Sequence, residues 1–93
     1  MPEVFIQIIW PTGMPDSVYS PSSVIKNYFK AGESLTVEQF QRKVEEALIN
    51  ASQRVKERFG FECSSAMGEL DRLNMITNKI DDKSTVVKII SVD

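Results

Sequence analysis

The chain carries one cysteine and no histidine, so a thiol is the most reactive group it can offer. Cys63 lies in the stretch "RFGFECSSA", Arg58 to Ala66, where the pattern predicts a helix start. Free N–H groups and the dipole at a helix N-terminus stabilise a thiolate, and Arg58 would add positive charge. The chemistry would be that of a small thiol-dependent enzyme or a sulfur carrier. Three carboxylates work against it, those of Glu62, Glu69 and Asp71, and no histidine is present to serve as its base. Cys63 is also in phase with Ala66 and Leu70, as a small apolar residue filling a gap would be. Burial is the expectation, with the reactive thiol as the alternative.

The remaining candidates are binding residues. Tyr19-Ser20-Pro21-Ser22 places two hydroxyls at an expected helix start, where an anion can be held; a plain strand-to-helix junction, with Ser20 as cap, explains the same residues. Ser22 and Ser23 lie near one helix start, Ser64 and Ser65 near another. If the two starts converged they would line a donor-rich cleft. Trp10-Pro11 is either an aromatic contact surface or a strand end whose indole covers the core edge. Arg54, Lys56 and Arg58 could bind phosphate, but basic residues late in a helix also match its dipole. The candidate binding set is Trp10, Tyr19, Ser20, Ser22, Arg58 and Ser64. With one cysteine and no histidine, no zinc site is expected from this chain. Neither G-x-x-x-x-G-K-[ST] nor G-x-G-x-x-G occurs, and no cofactor is expected.

These residues need elements to hold them. "EVFIQIIW" at 3–10 reads as a strand, with Val4, Ile6, Ile8 and Trp10 on one face and Phe5 and Ile9 on the other. "PTGMPD" is a turn, and "SVYS" at 17–20 returns as a second strand. Val24, Ile25, Tyr28 and Phe29 then suggest a short helix ending near Gly32. "LTVEQF" carries capping-box spacing, Thr36 to Gln39, and staple spacing, Leu35 to Phe40. Phe40, Val44, Ala47, Leu48, Ala51 and Val55 continue as one apolar stripe, predicting a helix over 37–59 stopped at Gly60. A third helix from about Ser64 turns Ala66, Met67, Leu70 and Leu73 inward. "TVVKIISV" at 85–92 is the final strand, expected beside the first. The order is β-β-α-α-α-β: an α+β domain over residues 1–93, its small sheet covered on one face by a long central helix.

The 93 residues are 42% hydrophobic and 26% charged, with a formal charge of −2. That balance argues against nucleic acid as the main partner, because phosphate binding needs a basic footprint. No stretch approaches the ~20 apolar residues of a membrane helix, and the first residues lack the pattern of a signal peptide. A lone thiol suits a reducing compartment. The expected location is the cytoplasm.

Three blocks occur together in order: "WPTG" at 10–13, "YSPSSVI" at 19–25 and "ASQRVKERFGFECSSA" at 51–66. They are similar to the W-P-x-G, Y-S-P-S and A-S-x-R-V-x-x-R-[YF]-G-F-x-C-S-x-A blocks of a small bacterial nitrogen-starvation-response family. That family is encoded in the conserved nitrilase gene cluster, beside a nitrilase, a radical-SAM protein, an acetyltransferase and a flavoprotein. The resemblance implies a role in nitrogen assimilation, with nitrile or cyanide use as its setting and the cluster enzymes as partners. It brings no catalytic residues. A non-catalytic accessory or binding protein is the leading expectation, and a homodimer is compatible with it.

Overall fold

A computed structural model describes residues 3–60 and 64–93. It contains β1 (Val4–Ile9), β2 (Pro15–Ser20), β3 (Ser34–Thr36), α1 (Val37–Phe59), α2 (Ser64–Asn78) and β4 (Val86–Val92), with a 3-10 turn at Ser23–Asn27. The strands form one antiparallel sheet in the order β2-β1-β4-β3. The architecture is α+β, and β4 lies beside β1 as expected.

Two expected features differ. The segment after Ser20 forms a 3-10 turn rather than an α-helix, and Ser22, not Ser20, is its cap. Val24, Ile25 and Phe29 all reach the core within six positions. A tight i→i+3 turn achieves this, and Tyr28 N–H closes it by donating to the Ile25 carbonyl at 3.0 Å. Next comes β3, which pairs Ser34, Leu35 and Thr36 with Lys88, Val87 and Val86. The α-helices therefore number two rather than three.

The long helix α1 runs over the predicted residues. Thr36 Oγ1 accepts from Gln39 N–H at 3.2 Å, and Gln39 Oε1 accepts from Thr36 N–H at 3.1 Å. Two more first-turn donors are satisfied from the segment before β4: Val37 N–H by the Thr85 carbonyl at 2.9 Å and Glu38 N–H by that of Lys83 at 3.3 Å. Gly60 ends the helix with φ +82°, a conformation that costs a residue with a Cβ. Phe40, Val44, Ala47, Leu48, Ala51 and Val55 are all buried. Phe40 sits between the Trp10 ring, edge-on at 5.4 Å, and the Phe29 ring at 5.8 Å.

Val4, Ile6, Ile8 and Trp10 of the β1 segment point into this core, joined by Val18 of β2 and Val87 and Ile89 of β4. The opposite face of the sheet is open: Phe5 is 42% exposed and Ile9 half-buried. In β4 the register shifts by one residue against Gln7 and Ile8. The extra residue, Ile90, stands outward and is 51% exposed.

Candidate functional site

The first block of the resemblance is turn chemistry. Gly13 N–H donates to the Trp10 carbonyl at 2.8 Å, and Trp10 N–H to the Met14 carbonyl at 2.9 Å. Pro11 occupies the second turn position, which suits its fixed φ. Gly13 takes φ +91°, where glycine is the least strained residue. The turn thus carries Trp10 to the rim of the core and turns Thr12 and Met14 outward.

Facing this turn is the last part of α2. Arg72 donates to Asp16 Oδ2 at 2.9 Å and to the Ser17 carbonyl at 3.0 Å, and its Nε bonds Glu69 Oε1 at 2.6 Å. Glu69 Oε2 in turn accepts from Tyr19 N–H at 2.7 Å. β2 is an edge strand, and the outward backbone groups of Ser17 and Tyr19 would otherwise face an open edge. Two side chains of α2 pair them as a fifth strand would. Asp16 also accepts from Trp10 Nε1 at 3.0 Å and, through Oδ1, from Ser17 N–H at 2.7 Å. Burial pushes its carboxyl up, but the hydrogen bonds from Arg72, Trp10 and Ser17 outweigh that and hold it below the usual range. The Arg72 guanidinium is raised, first by its bond to Glu69.

Between turn and helix lies a groove of about 500 Å³ lined by Trp10, Thr12, Met14, Pro15, Asp16, Ile76, Lys79 and Ile80. Its volume is within the range of binding clefts. The walls are mostly apolar, and Met14 at the rim is 65% exposed. The end of α2 beneath it is fixed by the Lys83 ammonium, which donates to the Thr77 and Ile80 carbonyls.

The sequence candidates are dispersed over this frame. Trp10 is in the groove, 5% exposed. Tyr19 is on the open sheet face, its ring 5.7 Å from that of Phe5. Ser20 and Ser22 are buried: the Ser20 hydroxyl donates to the Ser22 carbonyl at 2.8 Å and accepts from Ser22 N–H, while the Ser22 hydroxyl accepts from Val24 N–H at 3.3 Å. Both hydroxyls act in the junction. Arg58 is exposed on the last turn of α1, and Ser64 is the first residue of α2. The expectation for Cys63 lies outside the described residues. Among those residues, no group of three or more His, Cys, Asp or Glu side chains is placed to hold a metal ion, and no helix is long and apolar enough to cross a membrane.

Asp16, Arg72, Ile76, Lys79 and Ile80 escape a reading of the sequence. Arg72 and Ile76 are four apart, so a shared helix face was visible for these two, while Lys79 and Ile80 lie just beyond the end of α2. Nothing in the spacing says that β2 is the strand opposite. No curated protein and no solved structure matches the chain. The family model for the nitrogen starvation-induced protein NitG does match it, over residues 5–92, and the chain belongs to that family.

Proposed function

We propose that the protein is a non-catalytic accessory protein of the nitrogen-starvation response that docks, through the Trp10 groove, onto an enzyme of the nitrilase gene cluster. Cytoplasmic nitrile or cyanide use would be its setting. The observation that carries this reading is how the groove is furnished. Its apolar wall and methionine rim offer contact area, and methionine adapts to varied partner surfaces. Its one carboxylate, Asp16, is already committed to Arg72, Trp10 and Ser17. A buried aromatic beside such a wall has the makeup of an interface anchor.

The test is calorimetry of the purified chain against each purified cluster enzyme, followed by the emission of Trp10, the chain's single tryptophan. At least one enzyme is expected to bind, and Met14→Glu or Thr12→Glu, both at exposed positions of the groove, to abolish binding while the fold is retained. The isolated chain is expected to turn over neither nitriles nor cyanide. Binding to none of the enzymes, or nitrile hydrolysis by the chain alone, would overturn the reading. An effect on the pathway lost in Cys63→Ala but kept in the groove variants would favour the thiol alternative.

A further inference from the structure

We infer that the open face of the sheet is a self-association surface, on which two copies of the chain meet face to face about a two-fold axis running across the strands. Three of the large hydrophobic residues exposed in the structure, Phe5, Val86 and Ile90, project from this one face. Ile90 is there because of the β4 irregularity: Ser91 pairs with Gln7 and Ile89 with Ile8, leaving Ile90 as the additional outward residue. A strand without that insertion would present one fewer apolar side chain to solvent.

The sheet edges direct association to the face. The β2 edge is occupied by Glu69 and Arg72 of α2, and β3 at the other edge is three residues long, a length that blunts strand addition. The face is what remains. Its charge is arranged for a second copy of itself. At one end Glu3 and Asp93 are exposed on either side of Phe5; Asp93 N–H donates to the Phe5 carbonyl at 3.0 Å, and Asp93 Oδ2 accepts from the outward Ser91 hydroxyl. At the other end exposed Lys88 pairs with Ile9. The two ends are ~13 Å apart at ~3.3 Å per residue. An isologous interface needs each patch to carry its own complement. A two-fold axis across the strands supplies that, because it sets the acidic end of each copy over the Lys88 end of the other. An axis along the strands would set like charges together.

The area fixes the strength. At ~3.3 Å per residue and ~4.8 Å per strand the face measures roughly 20 by 19 Å, about 400 Å² per copy. A standard stable interface takes about 800 Å² per partner, so the dimer is a reversible one that forms as concentration rises.

Sedimentation equilibrium over a concentration series, from low micromolar to millimolar, tests this. A monomer–dimer equilibrium is expected. Ile90→Asp and Phe5→Asp, both at exposed positions and checked for folding by circular dichroism, should raise the dissociation constant at least ~10-fold. Lys88→Glu alone, and the pair Glu3→Lys with Asp93→Lys, should each weaken self-association. Mixing those two oppositely charged variants should restore a dimer of one copy of each. A chain that stays monomeric throughout, or a dimer indifferent to Phe5 and Ile90, overturns the surface. A mixture that associates no better than its components overturns the two-fold arrangement.

Discussion

α1 and α2 pack against each other and against one core, yet they are held by different kinds of contact. α1 is specified within its own sequence: its cap, its stop and a stripe of six buried apolar residues all lie between Thr36 and Gly60. α2 has a shorter apolar set, with Ala66 and Leu73 fully buried, and is positioned by charge. Glu69 and Arg72 grip the backbone of an edge strand some fifty residues away in sequence. The difference separates what burial does from what pairing does. Burial gives α1 strength without direction beyond its face. Pairing gives α2 a register along β2, and through that register it sets the width of the groove.

The largest expected effect falls on α1. Leu48 is fully buried, and Leu48→Ala should cost about 2–5 kcal/mol, a large share of the stability of so small a domain. A thermal melt indistinguishable from the parent would mean that the inward face of α1 is wrongly assigned. Next is Arg72→Ala, which takes the guanidinium away from Asp16, Glu69 and the Ser17 carbonyl and leaves the two carboxylates only their bonds from Trp10, Ser17 and Tyr19. Hydrogen bonds to charged groups contribute about 1.5–3 kcal/mol, and since the Arg72 side chain is 41% exposed solvent screening brings the expected loss to about 1–2 kcal/mol. Arg72→Lys should not restore it, because an ammonium cannot span these acceptors as a planar guanidinium does. A red shift of Trp10 emission should accompany the loss; a stability change without that shift would break the link between pairing and groove.

Thr36→Ala should cost about 1 kcal/mol, read by denaturant unfolding, with Thr36→Ser recovering most of it. Equal stability of all three would remove the capping argument for α1. The smallest effect concerns pH. Asp16 has a folded pKa below the ordinary value of 3.8. Its contribution is therefore complete above that value and is lost as pH falls through the folded pKa. Below pH 3.8 the difference in stability between the parent and Asp16→Asn should shrink, by less than about 1 kcal/mol. A difference that stays constant through that range would show that Asp16 carries no ionisation-linked stability.

How far the molecule could be read from its sequence follows the same division. Features whose cause is local were visible: the Thr36–Gln39 box, the α1 stripe, the Gly60 stop and the alternation in β1. The 3-10 turn was not, because Val24, Ile25, Tyr28 and Phe29 satisfy a helical period and only their packing against α1 selects the tighter turn. Lys43, for example, reaches from α1 to donate to the Tyr28 carbonyl at 3.2 Å. β3 was hidden by its length, since three residues carry no period. Of the residues lining the groove, Trp10 was a candidate from its type and its turn. Its partners Asp16 and Arg72 were not, because an aspartate after a turn and an arginine on a helix are ordinary residues until the fold brings them to 2.9 Å. The Ser20 and Ser22 hydroxyls pose the converse problem. Their pattern suggests a site, and the structure occupies both with backbone groups of the junction.

The pairing of β1 with β4 bears on how the chain is made. Within this sheet β1 lies in the interior and waits, unmatched on one side, for β4, the strand furthest from it in sequence. Until β4 has cleared the ribosome, β1 can hold only β2, and β3 has no neighbour at all. A two-stranded hairpin is marginal by itself, and contacts between distant parts of a chain form slowly. Completion of the sheet thus waits until β4 has been made. A nascent chain stalled before Thr85 would carry an unpaired, apolar β1 edge and would be a ready substrate for chaperones or proteases.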